Sequence, residues 1–250
     1  MLGLNNIYLG DCLELMKDIP NQFIDMILCD LPYEVTARQK WDIIIPFDKL
    51  WNQYERIVKD NGIIILFATE PFRTKLISSN IDLFKYDLIW SKNKSTGFLN
   101  AKRQPLRSHE SILIFYKNPS VYNPQKVKGE SRNASFKRKR ETNTLIYGDV
   151  KENSYTYTEE RYPTSLLEFK VLNNDSPDRF HSAQKPIELL EWLIKSYSNE
   201  GNIVLDNCFG SGSTLLAAKN LKRNFLGIEK EEKYFNIAKQ RLNENQKIQT

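Results

Sequence analysis

The sequence predicts an α/β fold, built on a mostly parallel sheet with helices on both faces. Short continuous apolar runs, such as Phe23–Cys29 and Ile63–Phe67, have the length and composition of buried strands. Stretches with helical spacing of apolar residues, such as 47–59 and 186–197, alternate with these runs along the chain. Strands that alternate with helices indicate parallel pairing through helical crossovers.

The remaining elements follow the same two patterns. Pro186 suits the first turn of a helix, and Asn61-Gly62 is expected to end the helix over 47–59. The further strands are expected at 7–9, 84–90, 111–116, 203–205 and 225–229, and the further helices at 13–19, 72–79, 214–221 and 232–242.

Composition narrows the class of protein. A chain of 250 residues with 40% hydrophobic residues can form one large domain, or one domain with an insertion. No apolar run approaches the roughly 20 residues of a membrane span, and the first residues lack a signal-peptide pattern, so a cytoplasmic protein is expected. Three scattered cysteines and two histidines argue against a disulfide framework and a histidine-rich metal site, and no metal is expected.

The periodic pattern fails between about 117 and 165, where prolines, charges and tyrosines replace regularly spaced apolar residues. We expect an inserted subdomain there, between two halves, 1–116 and 166–250, of one domain. The insertion carries a basic cluster in which Glu130 is the only acid, and this cluster is either a phosphate-contacting surface or a solvated loop. Its members are Lys126, Lys128, Arg132, Lys137, Arg138, Lys139 and Arg140.

A glycine loop follows the strand at 203–205. Gly210 and Gly212 would let the backbone approach a ligand closely before the next helix begins. Glu229 ends the following strand, 19 positions after Gly210, where Rossmann-like sites place a carboxylate for ribose hydroxyls. The glycines do not follow the G-x-G-x-x-G pattern, so a single nucleoside is favoured over a dinucleotide, with a plain tight turn as the alternative.

A second motif, Asp30-Leu31-Pro32-Tyr33, follows the strand that ends at Cys29. Ligands of open α/β sheets bind at this end of the strands. Asp30 and the Leu31 carbonyl could accept hydrogen bonds from an exocyclic amino group, while Pro32 stiffens the turn and Tyr33 offers a ring for stacking. The alternative is a strand-ending turn with a surface tyrosine.

These motifs together resemble those of the amino-methylating DNA methyltransferases that use S-adenosylmethionine. Asp30–Tyr33 looks like their D-P-P-Y motif, and Asp206–Ser213 is similar to their D-P-F-x-G-S-G-T loop. The segment 181–186 resembles H-P-T-Q-K-P, and 8–12 resembles a G-D-C segment. The circularly permuted order, with the catalytic motif before the cofactor loop, matches the β group. Leu31, Asn207 and Cys208 depart from the family pattern.

The resemblance implies methyl transfer to adenine N6 of a base flipped out of double-stranded DNA. Residues 1–116 would then be the catalytic half with Asp30–Tyr33, 117–165 the target-recognition insertion, and 166–250 the cofactor-binding half. A candidate DNA-facing loop at 96–103 contains Lys102 and Arg103. The residues expected at S-adenosylmethionine are Asp11, Cys12, Asp30, Lys185, Asp206, Cys208, Phe209, Gly210, Ser211, Gly212, Ser213, Thr214 and Glu229.

Several alternatives stay open at this point. N4-cytosine methylation is the nearest, but Ser usually stands in place of Asp30 in that group, and protein-glutamine methylation usually shows Asn. A catalytically inactive module that binds cofactor and DNA is a different class, and an RNA substrate is also compatible with the basic residues. The recognition sequence, a homodimer and a cognate restriction endonuclease are not determined by the sequence.

Overall fold

The computed structural model describes residues 1–33, 43–128, 160–173, 180 and 184–247, with side chains described as far as 243. The strands are β1 Asn6–Leu9, β2 Ile24–Cys29, β3 Val58–Ala68, β4 Phe84–Thr96, β5 Arg107–Phe115, β6 Val127–Lys128, β7 Glu160–Arg161, β8 Leu166–Glu168, β9 Ile203–Asp206 and β10 Asn224–Glu229. The helices are α1 Cys12–Leu15, α2 Phe47–Ile57, α3 Phe72–Ser79, α4 Ile187–Tyr197, α5 Ser213–Asn220 and α6 Glu232–Lys247, with short 3-10 turns at Met16–Asp18 and Phe98–Asn100.

Eight of these strands form one sheet in the order β1-β10-β9-β2-β3-β5-β4-β8. The pairings β1·β10, β10·β9, β9·β2, β2·β3 and β4·β8 are parallel, and β5 alone runs antiparallel to its two neighbours in this sheet. The expected mostly parallel sheet is confirmed. β1 adds the N-terminus of the chain to β10, which lies near the C-terminus.

Helices cover both faces of the sheet, because successive strand residues point to opposite sides. In β3, Ile63, Ile65 and Phe67 face the core under α4, α5 and α6. Ile64 and Leu66 face the other core, under α1, α2 and α3. No helix in the described ranges is long and apolar enough to cross a bilayer.

Two predicted boundaries were wrong. Asn61-Gly62 does not end a helix, since α2 already ends at Ile57 and β3 begins at Val58. The pair instead lies where the register between β2 and β3 shifts, between Ile24↔Val58 and Met26↔Ile63. β4 continues to Thr96, beyond the expected end at 90, because β5 provides a partner as far as Arg107.

The chain divides into a larger unit, Met1–Asn123 with Thr164–Thr250, and a smaller unit, Pro124–Pro163. The larger unit contains the eight-stranded sheet. In the smaller unit β6 and β7 pair antiparallel, Lys126 Nζ lies 3.3 Å from Glu160 Oε2, and the ammonium stands 5.6 Å from the centre of the Tyr162 ring. A target-recognition role for the insertion stays a prediction.

Candidate active site

The site lies where the connections of the sheet change direction. β2 and β9 are adjacent and parallel, and the chain continues from β2 to β3 on one side and from β9 to β10 on the other. Such a switch point opens a crevice at the carboxyl ends of the strands. Asp30 follows β2 and Asp206 ends β9, so the two halves of the chain meet at this crevice.

A cavity of about 440 Å³ occupies the crevice. The structure brings nearly all the predicted catalytic and cofactor residues to its wall: Asp11, Cys12, Asp30, Leu31, Pro32, Tyr33, Lys185, Asp206, Cys208, Phe209, Gly210, Ser211, Ser213, Thr214 and Glu229. Gly212 does not line it. At φ +77° this glycine begins α5, and a Cβ on it would stand 2.7 Å from the Ala238 side chain of α6.

Backbone groups fix the Glu229 carboxylate at the cavity wall. Gly210 N–H donates to Oε2 (2.7 Å), and Glu231 N–H donates to Oε1 (2.8 Å). Burial raises the pKa of Glu229, and these N–H groups oppose that rise. A carboxylate has about four lone-pair sites, so the fixed group can still accept hydrogen bonds from a diol.

Asp206 is almost fully buried at the end of β9. Burial raises the pKa of its carboxyl to about 7, although the Thr214 hydroxyl and the Cys208 N–H oppose the rise. The Cys208 N–H donates to Asp206 Oδ1 (3.2 Å). A buried acid of this kind would be ionised by a cationic ligand group placed beside it.

Asp11 and the cysteines at the cavity each have a structural partner. Asp11 begins α1 by accepting the Leu13 N–H (2.9 Å), and its Oδ2 lies 3.4 Å from Lys230 Nζ. Burial raises the pKa of Cys29 to about 12, and a hydrogen bond with Cys208, followed by burial, raises that of Cys12. These two thiols are therefore neutral at physiological pH.

The Asp30 carboxylate is held by two neighbours. The Tyr33 hydroxyl donates to Oδ1, and the Lys185 ammonium donates to Oδ2. The Tyr33 ring stacks on Phe72, with ring centres 4.9 Å apart, so in this structure it contacts the protein core. The role of Tyr33 in stacking a base stays a prediction. Leu31, which stands where the family has proline, is buried in the core beneath α2 and α3.

Two charged residues of this site, Glu110 and Lys92, were not predicted from the sequence. Glu110 on β5 lines the cavity, with its Oε2 3.4 Å from Lys185 Nζ, and its Oε1 pairs with Lys92 on β4. Asp30, Lys185, Glu110 and Lys92 thus form a chain of alternating charge. Burial lowers the pKa of Lys185, but Asp30 and Glu110 raise it by more, so the ammonium stays charged. The available signal for Glu110 was its place as the first acid after five basic residues between 92 and 107.

The predicted DNA-contacting residues that the structure describes do not line this cavity. Lys102 and Arg103 are exposed on the connection between β4 and β5, and Lys126 and Lys128 belong to the smaller unit. Arg132, Lys137, Arg138, Lys139 and Arg140 lie outside the described residues, as do residues 181–183 of the H-P-T-Q-K-P-like segment. The described residues contain no group of three or more His, Cys, Asp or Glu placed to hold a metal ion.

Comparison with known proteins defines the class. The sequence model of the N6/N4 methyltransferase family, described as DNA methylase, matches residues 24–240. The chain belongs to this family, which confirms the expectation drawn from its motifs.

Individual relatives match over most of the chain. Type II methyltransferase M.HinfI of Haemophilus influenzae is 30% identical over 275 residues, covering 96% of this chain and 69% of that protein. Type II methyltransferase M1.MboII of Moraxella bovis is 28% identical over 262 residues, covering 98% of each.

Solved structures show the same fold. The M1.HpyAVI–SAM complex has a TM-score of 0.63 and 26% identity, covering 95% of this chain and 98% of that one. The cytosine-N4-specific PvuII DNA methyltransferase has a TM-score of 0.64 over 97% of this chain and 94% of that one. At 14% identity the second match shows the fold alone.

Removing the charge of Glu110 is expected to weaken the site. In Glu110→Gln, Lys185 loses one of the two acids that raise its pKa, so the alkaline limb of the activity–pH profile moves to lower pH. Breaking a largely buried pair also destabilises the fold, by about 3 kcal/mol. Methyl-transfer rates across pH and urea denaturation measure the two effects.

The control for this variant is Glu70→Gln. Glu70 is exposed and lies 3.3 Å from Arg73, so its loss should change stability by less than about 1 kcal/mol and leave the pH profile unmoved. An unshifted alkaline limb in Glu110→Gln would show that Glu110 does not act through Lys185.

Asp206 is expected to make the ligand-free protein less stable as pH rises. Its pKa is about 7 in the folded protein against an ordinary value of 3.8, so the folded state binds the proton more tightly between these values, and stability falls as pH rises through that window. Asp206→Asn lacks this titration. The melting temperature of Asp206→Asn minus that of wild type should therefore be several degrees higher at pH 8 than at pH 5.

Thermal denaturation at the two pH values checks this expectation, with Asp82→Asn as the control because Asp82 is exposed. An equal difference between Asp206→Asn and wild type at both pH values contradicts it.

Proposed function

We propose that this protein transfers a methyl group from S-adenosylmethionine to adenine N6 at specific sites in double-stranded DNA. The observation that carries the proposal is that Asp30 faces the same 440 Å³ cavity as the glycine loop and the Glu229 carboxylate. A cavity of this volume is typical of small-molecule sites. Its wall carries the Glu229 carboxylate as an acceptor for a nucleoside and the Asp30 carboxylate as an acceptor for an amino group.

The residues at the wall fit the cofactor. Glu229 would accept hydrogen bonds from the ribose hydroxyls, with Asp11 near the adenine. Asp206, whose pKa burial raises to about 7, would be fully ionised beside the α-ammonium group of the cofactor. The bound cofactor supplies an electrophilic methyl group on a sulfonium. The match to the M1.HpyAVI–SAM complex over 95% of the chain supports this assignment.

Asp30 would act on the target nitrogen. The lone pair of an exocyclic amino group is delocalised into the ring, which makes the nitrogen a poor nucleophile. Hydrogen bonds from the amino group to Asp30 and to the Leu31 carbonyl localise that pair and stabilise the positive charge that develops during transfer. Tyr33 and Lys185 occupy one site on each Asp30 oxygen and so hold the carboxylate in position, leaving lone pairs for the amino group.

Positioning supplies much of the remaining rate. Within the duplex the amino nitrogen is stacked and paired, so the base must rotate out to reach the cavity, at a cost of a few kcal/mol. With the base and the cofactor in adjacent parts of one cavity, transfer would need no bimolecular encounter: the carbon–sulfur bond would break as the carbon–nitrogen bond forms, and the methylated nitrogen would then release one proton to solvent. Asp30, where the cytosine-N4 group usually has Ser, favours adenine as the target.

The test is transfer of labelled methyl from S-adenosylmethionine to mixed-sequence duplex DNA. Digestion to nucleosides identifies the product, and sequencing of the modified duplex maps the site. We expect N6-methyladenine at a short defined sequence, as the names of the type II relatives suggest. Asp30→Ala should reduce the rate at least about 100-fold, and Asp82→Asn should not.

Three other outcomes contradict parts of the proposal. N4-methylcytosine would show that Asp30 does not select adenine. Transfer to RNA alone would exclude DNA as the substrate. Cofactor binding without any transfer would make the protein an inactive binding module.

A further inference from the structure

The β4–β5 hairpin stands beside the mouth of the cavity. β3 ends at Ala68, which pairs with Ser111, whereas β4 and β5 continue together to the pair Thr96↔Arg107. Glu110 and Arg107 of β5 both line the cavity. The strand rises about 3.3 Å per residue, so Arg107 lies roughly 10 Å further along β5 than Glu110. This length is comparable to the depth of a DNA groove. The tip of the hairpin therefore lies beyond the carboxyl edge of the sheet, on the side from which a base would enter.

The backbone of this tip is well defined. Gly97 adopts φ +89° and begins the 3-10 turn Phe98–Asn100. Asn100 N–H donates to the Gly97 carbonyl (2.9 Å), and Arg103 N–H donates to the Asn100 carbonyl (2.8 Å). The tip is therefore shaped before any partner arrives.

Two adjacent apolar side chains project from this tip. Phe98 is 80% exposed and Leu99 is fully exposed. Single exposed apolar residues are ordinary, but a neighbouring pair on an ordered tip marks a contact surface.

The charge around the pair indicates its partner. The sequence has no acid between Asp87 and Glu110, but five lysines and arginines. Of these, Lys102, Arg103 and Arg107 are exposed on the hairpin. Basic residues that contact phosphates, combined with apolar side chains that enter between base steps, are the arrangement of proteins that open or kink a duplex.

We propose that Phe98 and Leu99 enter the DNA beside the target adenine and fill the space that the base leaves when it rotates into the cavity. Lys102 and Arg103 contact the flanking phosphates. This inference rests on the proposed function. Stacking on Phe98 stabilises the opened duplex. Phe98 and Leu99 therefore matter most when the target base is still paired.

The test compares a Phe98→Ala/Leu99→Ala double variant with wild type on two duplexes that carry the mapped site. In one the target adenine is paired, and in the other it stands opposite an abasic position, so the pair is already broken. We expect kcat/KM of the double variant to fall at least about tenfold on the paired duplex and to stay within about threefold of wild type on the abasic one. Phe98→Trp, which keeps a ring, should retain activity on both.

The matched control is Ile81→Ala. Ile81 is 60% exposed, but it lies before β4, towards the opposite edge of the sheet from the cavity. This variant should behave like wild type on both duplexes. Circular dichroism and light scattering of every variant report the fold and the oligomeric state.

Each other outcome overturns the proposal. Unchanged activity of the double variant on the paired duplex, or an equal loss on both duplexes, shows that Phe98 and Leu99 do not replace the flipped base. In a further outcome, the double variant changes its oligomeric state and keeps the wild-type ratio of kcat/KM between the two duplexes. That result shows that the tip joins two copies of this chain. Failure of wild type to methylate any duplex is distinct, because it rejects the proposed function itself.

Discussion

The ion pair between Lys185 and Asp30 is the interaction on which the site depends. A buried ammonium is tolerated only beside compensating charge. Lys185 is 8% exposed, and its partners are Asp30 after β2 and Glu110 on β5. Lys92 on β4 completes the charge balance of Glu110. Three strands and the segment before α4 must therefore converge for this group of charges to be stable, and their convergence fixes the Asp30 carboxylate at the cavity wall.

The same convergence explains how a permuted chain builds one site. Lys185 and Asp30 are 155 positions apart in sequence. β9 inserts beside β2, and the buried Tyr54 hydroxyl of α2 donates to Asn207 Oδ1 after β9 (2.6 Å). The two halves thus share a sheet and a hydrogen bond directly below the cavity. The order of the motifs along the chain matters less than the adjacency of β2 and β9.

The sequence predicted the features that depend on local pattern. Apolar runs located β2, β3 and β9, and the motifs after β2 and β9 had to meet because parallel strands end at one edge. Glu229 was predicted from its spacing to Gly210, and the 2.7 Å hydrogen bond between them agrees with that spacing. These predictions share a cause, which is that each depends on apolar runs and spacings that can be read along the chain; the role of Glu229 at a ribose stays a prediction.

Features that depend on pairing across the sheet could not be predicted. Glu110 becomes a site residue because β5 pairs antiparallel with both β3 and β4. No local pattern specifies the register of these pairings. Gly212 is required where α6 packs on the loop, a contact that appears only in the folded chain. The Tyr33 ring stacks on Phe72 for the same reason, since α3 reaches it only through β3.

The most direct test of this account is a crystal structure with S-adenosylhomocysteine, the demethylated form of the cofactor. We expect the ribose hydroxyls to lie within hydrogen-bond distance of Glu229 and the sulfur to face Asp30 across the cavity. A larger cavity, about 660 Å³, lies at the opposite edge of the sheet, lined by Asn5, Lys219 and Lys239 among others. Binding there, or binding with the sulfur turned away from Asp30, would rule out the roles assigned to Glu229 and Asp30.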